Sequence, residues 1–154
     1  MIDAAGNPRV VEFNCRFGDP EAQPVLTRLR TDLVQLCNAA VDQTLVGMQL
    51  DFDPRAAVGV VIAAGGYPGA YRSGDPIEGL ERVGETGAKV FHAGTRITDG
   101  QVVTNGGRVL CVVGMGHSVR AAQAQAYAGV SQINFDKAHY RRDIGYRAIA
   151  REQR

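Results

Sequence analysis

Residues 9–21 read Arg9-Val10-Val11-Glu12-Phe13-Asn14-Cys15-Arg16-Phe17-Gly18-Asp19-Pro20-Glu21. Side chains alternate between the two faces of a β-strand, so a strand here presents Glu12, Asn14 and Arg16 on one face and apolar side chains toward a core on the other. A carboxylate and an amide oxygen suit Mg²⁺, which fills its octahedron with water and phosphate. A guanidinium offers phosphate a planar fork of donors. The pattern therefore favours a metal and phosphate site, although an edge strand with its polar face in water gives the same alternation.

Composition limits the classes of protein to consider. The chain has 154 residues, of which 45% are hydrophobic and 21% charged, enough for a core of ordinary single-domain size. Its formal net charge is +1 and its Lys and Arg residues are scattered, so we expect neither nucleic acid nor a membrane as a partner. No apolar run approaches the roughly 18 residues that span a bilayer. We expect a soluble cytoplasmic protein.

Cysteines and histidines give no metal or redox motif. The three cysteines are far apart, with no Cys-x-x-Cys pair, and we expect reduced, buried thiols: Cys15, Cys37 and Cys111. The three histidines are equally dispersed, and we expect them to be structural or solvent-facing: His92, His117 and His139. A metal site would need several ligands that converge.

The first fifty residues predict a hairpin and two helices. Met1–Asp3 and Arg9–Asn14 flank a turn-rich loop, and such a two-stranded hairpin is marginal alone, so we expect its sheet neighbours to lie outside this chain or the hairpin to pack on the later segments. Asp19 is a good N-cap and Pro20 fits the first helical position. From Thr31 an apolar stripe continues to near Gly47, which predicts an amphipathic helix packed on a core.

The remainder predicts a small antiparallel sheet with helices. The turn-like residues 51–55 are the candidate boundary between units 1–50 and 51–154. Four strands are expected, the last three as a meander, at Ala57–Ala64, Lys89–Thr95, Arg96–Thr104 and Arg108–Val113. Ser118 should cap an alanine-rich helix to about Ile133, and a last helix should begin near Asp143. The fold class is α+β.

Two glycine-rich loops imitate a dinucleotide-binding turn. The first is Gly65-Gly66-Tyr67-Pro68-Gly69, where Pro68 and the residues after the loop offer no helix N-terminus to bind a pyrophosphate. In the second, Gly114-Met115-Gly116 precedes a helix, but Val119 stands at the third glycine position. We interpret both as glycines that permit turns and close packing. The first loop, with Tyr67, Tyr71 and Arg72, is a candidate lining of a cleft.

Several motifs resemble one enzyme family in the same order along the chain. Beside residues 12–21, they are Gly65-Gly66-Tyr67-Pro68-Gly69, Gly74-Asp75-Pro76-Ile77-Glu78-Gly79-Leu80, Val90-Phe91-His92-Ala93-Gly94-Thr95, Thr104-Asn105-Gly106-Gly107-Arg108-Val109-Leu110 and Tyr140-Arg141-Arg142-Asp143-Ile144-Gly145. Together they resemble the C-terminal portion of the phosphoribosylamine–glycine ligase (glycinamide ribonucleotide synthetase) family, whose members are ATP-grasp enzymes.

The resemblance implies a chemistry for residues 12–21. Glu12 and Asn14 match ligands of Mg²⁺ or Mn²⁺ that bridges the β- and γ-phosphates of ATP, and Arg16 matches a catalytic group that stabilises an acyl phosphate. Asp19 and Glu21 match substrate-side positions that organise the loop and the helix start beside the glycine pocket. The implied substrates are ATP, glycine and 5-phosphoribosylamine.

The resemblance also implies how the chain is organised. Residues 1–50 match the end of an ATP-grasp domain, a hairpin plus helices, and residues 51–154 match the C-terminal domain of a considerably longer enzyme. We expect the chain to be inactive alone, with an apolar surface covered by the missing N-terminal domains or by self-association. The alternative is a noncatalytic module or remnant that binds an ion or a partner chain.

Overall fold

The computed structural model describes residues 1–13 and 15–153, a mixed fold of helices and small antiparallel sheets. The helices are α1 (Ala22–Arg28), α2 (Leu33–Val41), α3 (Val119–Val130) and α4 (Tyr146–Glu152), with a 3₁₀ helix at Leu80–Thr86. The strands are β1 (Ala56–Ala63), β2 (Lys89–His92), β3 (Thr95–Thr98), β4 (Gln101–Thr104) and β5 (Arg108–Gly116). Within these described ranges no helix is long and apolar enough to cross a membrane.

The main sheet has the order β1-β5-β2, and both pairings are antiparallel. Three of the predicted strands are present as β1, β2 and β5, whereas the segment predicted as one strand at Arg96–Thr104 is divided between β3 and β4. The predicted meander is wrong, because β5 lies between β1 and β2. Val109–Gly114 are buried throughout, and a strand covered on both faces belongs in the middle of a sheet. β3 and β4 form a separate hairpin, whose Asp99 and Gly100 have the positive φ angles of a tight two-residue turn.

Helix α3 packs closely on one face of β1 and β5. A Cβ atom on Gly114 would lie 2.3 Å from the backbone nitrogen of Ala126 and 2.4 Å from the carbonyl oxygen of Ala122. Ser118 caps the helix as predicted, since its hydroxyl accepts from the Ala121 N–H at 3.1 Å. The second glycine-rich loop thus serves helix–sheet packing, as interpreted from the sequence.

Helix α1 lies against the other face of the same sheet. A Cβ atom on Gly59 would come within 3.3 Å of Cys111 Sγ and 3.5 Å of Pro24 Cδ. The helix begins at Ala22, so the predicted start at Asp19 and Pro20 is wrong. The Asp19 side chain bonds to other side chains instead of capping backbone N–H groups.

The first fifty residues are less covered than the sequence predicts. The hairpin turn forms, with the Arg9 N–H donating to the Met1 carbonyl at 2.8 Å, but residues 10–13 pair with no strand among the described residues. Phe13, predicted to face a core, is 82% exposed, and Val41 on the apolar stripe of α2 is also 82% exposed. The predicted burial is wrong for residues 10–13 and for most of α2, in which Ala39 is buried but Cys37 and Val41 are exposed.

The exposure of residues 1–50 extends to two of the three cysteines. Cys15 and Cys37 are exposed free thiols, so their predicted burial is wrong, whereas Cys111 is buried within β5 as expected. Desolvation, with a smaller contribution from the Asp19 charge, raises the pKa of the Cys111 thiol to about 11. All three histidines are exposed, as predicted: His92, His117 and His139.

Candidate functional site

The turn before α1 brings two of the predicted site residues together. Arg16 and Glu21 line one shallow depression, together with Cys15 and Phe17. The Glu21 carboxylate folds over Gly18, where a Cβ atom would lie 2.7 Å from Glu21 Oε2. A guanidinium and a carboxylate thus share one exposed surface, an arrangement suited to a small zwitterion or a phosphorylated carboxylate.

Asp19 lies in the same turn, and each of its oxygens has a partner. Arg108 Nη1 donates to the Asp19 carbonyl oxygen at 2.7 Å, and Arg108 Nη2 lies 3.2 Å from Asp19 Oδ2. Gln23 Nε2 donates to Asp19 Oδ1 at 3.2 Å. Asp19 therefore holds the turn against both α1 and β5.

Glu12 is exposed and lies outside the residues that line this depression. Asn14, the other predicted metal ligand, lies outside the described residues. In the ranges that the structure does describe, no three His, Cys, Asp or Glu side chains form a group that could hold a metal ion. One carboxylate and one amide oxygen still fit Mg²⁺, which takes few protein ligands and keeps water and phosphate.

A cluster around Asp53 joins the end of α1 to the start of β1. Arg55 donates to the Asp53 carboxylate from Nε at 2.9 Å and from Nη2 at 2.7 Å, and Arg30 Nη2 adds a third contact at 3.3 Å. Arg28 Nε donates to the Asp53 carbonyl oxygen at 3.0 Å. The hydrogen bonds from Arg55, aided by the charge of Arg30, hold the pKa of the Asp53 carboxyl well below its usual range.

The first glycine-rich loop does line a cleft. Its walls combine the loop and the segment after α3 and are formed by Gly65, Ala70, Tyr71, Arg72, Asp75, Asp136 and Lys137. Arg72 pairs with Asp75 and lies 3.1 Å from Asp136 Oδ2. The hydrogen bond to Asp75 raises the pKa of Arg72. The cleft is predicted correctly from the loop composition, but Tyr67 is not among its walls and packs on Gly107 instead.

Two residues with long-range contacts were not identified from the sequence: one holds the turn before α1, and the other lies between α1 and β1. Arg108 appears in sequence as the start of a strand, yet its partner Asp19 is 89 residues away. Asp53 appears as part of a turn, although it is 7% exposed and bound by arginines from both sides. The signal available was weak, because long-range pairs leave no local periodicity.

Comparison with known proteins gives a consistent result. The family model described as "Phosphoribosylglycinamide synthetase, C domain" matches residues 57–147. Proteins named phosphoribosylamine–glycine ligase are 58% identical over 153 residues in Vibrio parahaemolyticus and 58% identical over 154 residues in Escherichia coli strain K12. In both cases the match covers 99% of this chain and 36% of the relative, so the chain spans about a third of the relatives' length.

A solved structure of a protein with the same name is also similar to this chain. The crystal structure of phosphoribosylamine–glycine ligase from Thermotoga maritima aligns with a TM-score of 0.70 and 34% sequence identity. The alignment covers 90% of this chain and 34% of that one. The family model matches more than half of the chain, and the relatives match nearly all of it, including residues 12–21. The chain therefore belongs to the phosphoribosylglycinamide synthetase family and corresponds to its C-terminal portion.

Proposed function

We propose that this chain forms the C-terminal portion of an ATP-dependent ligase that joins glycine to 5-phosphoribosylamine in cytoplasmic purine biosynthesis. The observation that carries the proposal is the 58% identity to phosphoribosylamine–glycine ligase over 99% of the chain, which takes in the turn with Arg16, Asp19 and Glu21 as well as the C domain.

The proposed reaction has two steps. A glycine carboxylate oxygen attacks the γ-phosphorus of ATP, the bond to the β-γ bridging oxygen breaks, and ADP leaves. The amine nitrogen of phosphoribosylamine then attacks the glycyl carbonyl carbon, the bond to the phosphate oxygen breaks, and phosphate and a proton are released. Neither step needs a covalent bond to the protein, so catalysis rests on position and charge.

Glu12 and Asn14 are the residues that would hold Mg²⁺ or Mn²⁺. Such an ion, when bound, neutralises phosphate charge and aligns the transferred group. The exposure of Glu12 supports this assignment, since the carboxylate is accessible to a cation and its nucleotide.

Arg16 and Glu21 would face the glycine end of the reaction. The Arg16 guanidinium would stabilise the negative charge of the acyl phosphate through fixed donors. Its place in one depression with Glu21 supports a role for both at the same substrate. Asp19 would organise the turn, because its oxygens are occupied by Arg108 and Gln23.

We further propose that residues 1–50 belong to the ATP-grasp domain and residues 51–154 to the C-terminal domain, and that the exposed apolar side chains of 1–50 are covered in the functional enzyme. Val46 is 97% exposed and Val10 is 74% exposed. The cover would be the domains that fill the rest of the relatives' length, or a second copy. The chain alone should associate at high concentration, and sedimentation of a stable monomer would contradict this.

A chimera tests the proposed function. This chain replaces the matching third of the Escherichia coli ligase, and ADP release is followed with ATP, glycine and phosphoribosylamine. We expect ADP release that depends on both glycine and the amine, and none from this chain alone. A folded chimera without glycine-dependent ADP release would overturn the proposal and favour the alternative, a noncatalytic module that binds a partner chain through its apolar surface.

A further inference from the structure

Arg108 connects the C domain to the turn that carries the candidate site. It is the first residue of β5, and its side chain reaches both the backbone and the side chain of Asp19, through the contacts at 2.7 Å and 3.2 Å. A guanidinium that donates to a carbonyl and a carboxylate of one residue fixes the orientation of that residue as well as its distance.

The strand end that carries Arg108 contacts two neighbouring segments. Arg108 stands opposite Ala63 in the pairing with β1, just past a register shift between Ile62 and Ala63, and its carbonyl oxygen accepts from the Gly94 N–H at 2.9 Å. Gly94 approaches this strand end so closely that a Cβ atom on it would lie 2.7 Å from the same carbonyl oxygen. Side chains carried by such strands hold their targets more accurately than those carried by loops.

The other side of the turn is tied to α1. The Ala22 N–H donates to the Gly18 carbonyl at 2.9 Å, and Gln23 donates to Asp19. The turn is thus held between a helix and a strand end. Arg16 precedes Asp19 by three residues, so their Cα atoms lie within about 10 Å of each other.

We propose that Arg108 is a positioning residue of the ligase reaction: by holding Asp19, it sets where Arg16 and Glu21 present their charges to glycine and the transferred phosphoryl group. This rests on the proposed function. Arg108 acts through Asp19 and does not itself need to touch substrate.

The solvent exposure of the Arg108–Asp19 pair distinguishes a positioning role from a role in stability. The side chains of Arg108 and Asp19 are 41% and 48% exposed, so water screens the pair and it contributes little to stability. Misplacing a catalytic group by about 1 Å, in contrast, can lower a rate a hundredfold. Loss of Arg108 should therefore affect catalysis much more than folding.

Arg82 supplies a matched control. It is 55% exposed, its Nη2 donates to the Gln132 carbonyl at 3.3 Å, and it lies 3.9 Å from a Glu81 oxygen, so it too bridges a distant carbonyl and a carboxylate. It does not belong to the candidate site. Both variants, Arg108→Met and Arg82→Met, are made in the chimera with the Escherichia coli ligase.

We expect Arg108→Met to lower kcat/KM for glycine by about tenfold to a hundredfold and Arg82→Met to leave it unchanged. Both melting temperatures should stay within about 2 °C of the parent. Arg108→Lys should recover part of the loss, since one ammonium reaches the carbonyl or the carboxylate but lacks the fork. Asp19→Asn combined with Arg108→Met should cost less than the two single effects added together, because both remove the same contact.

The possible results are distinguishable. Equal kcat/KM for the two methionine variants in an active chimera overturns the positioning role and leaves the proposed function intact. An inactive parent chimera counts against the proposed function instead. In that case amide hydrogen exchange in this chain tests the structural half of the proposal, that Arg108 holds the turn: faster exchange at Ala22 in Arg108→Met supports that hold, and unchanged exchange overturns it.

Discussion

Replacing Gly114 with alanine should destabilise the C domain strongly, although the change adds a single methyl group. The added Cβ would lie 2.3 Å from the Ala126 nitrogen and 2.4 Å from the Ala122 oxygen, whereas an ordinary contact begins near 3.4 Å. Helix α3 would have to retreat by about 1.1 Å, and both atoms belong to its backbone, so no side chain can rotate away.

The size of the effect can be worked out from that displacement. Overpacking a core typically costs about 1–3 kcal/mol. A gap of about 1 Å opened along the rest of the helix also forfeits up to about half of the dispersion energy there. We therefore expect a loss of about 3 kcal/mol in the free energy of unfolding, or a melting temperature about 6–12 °C lower for a chain of this size.

Gly84→Ala is the control. Nothing lies within 4 Å of a Cβ at that position, which is exposed in the 3₁₀ helix. It should leave stability unchanged or raise it by up to about 1 kcal/mol, by restricting the unfolded chain. Urea unfolding followed by circular dichroism measures both variants. A Gly114→Ala protein within about 0.5 kcal/mol of the parent would refute the packing argument.

Charge and exposure lead to three further predictions. The folded-state pKa of Asp53 lies below its ordinary value of 3.8, so its contribution to stability is complete above that pH and is lost as the pH falls through the folded value. The free energy of unfolding of Asp53→Asn should therefore depend less on pH below 3.8 than that of the parent. Urea titrations in which the two proteins lose stability equally over this pH range would contradict the prediction. At pH 8, Ellman's reagent should modify Cys15 and Cys37 quickly and reach Cys111 after denaturation, and rapid reaction of all three native thiols would be the opposite result. In the chimera, Glu12→Ala should lower turnover by roughly a hundredfold or more without changing the melting temperature, because losing a metal ligand weakens the stabilisation of the transition state by several kcal/mol. Unchanged turnover would remove Glu12 from the site.

The C domain was largely predictable because its signals are local. The β-branched residues Val58 and Val60–Ile62 mark β1, and Ser118 before an alanine-rich segment marks the start of α3. The strand order was not predictable in the same way, since the pairing of β5 with β1 joins residues far apart in sequence. The burial of β5 on both faces favours a central strand, but that burial is a property of the fold.

Residues 1–50 show the opposite case, where the local pattern predicted burial that the structure does not show. The alternation at 9–16 and the apolar stripe on α2 predict surfaces buried against a neighbouring element, yet no described element covers Phe13 or Val41. Periodicity identifies which face is apolar, and it cannot say what lies opposite. For the candidate site, Arg16 and Glu21 line one depression, and their roles stay predictions. Sequence reasoning missed Arg108, whose contact with Asp19 depends on tertiary structure.

The most direct test of the central proposal is the position of a metal ion in the chimera. Crystals grown with Mn²⁺, glycine and a nonhydrolysable ATP analogue are measured at a wavelength where Mn²⁺ scatters anomalously. We predict an anomalous peak about 2 Å from an oxygen of Glu12 and from the side-chain oxygen of Asn14, with analogue phosphate oxygens completing its shell and Arg16 beside the γ-phosphate. A nucleotide-bound Mn²⁺ coordinated by other residues, with Glu12 and Asn14 directed away from it, would contradict the proposal.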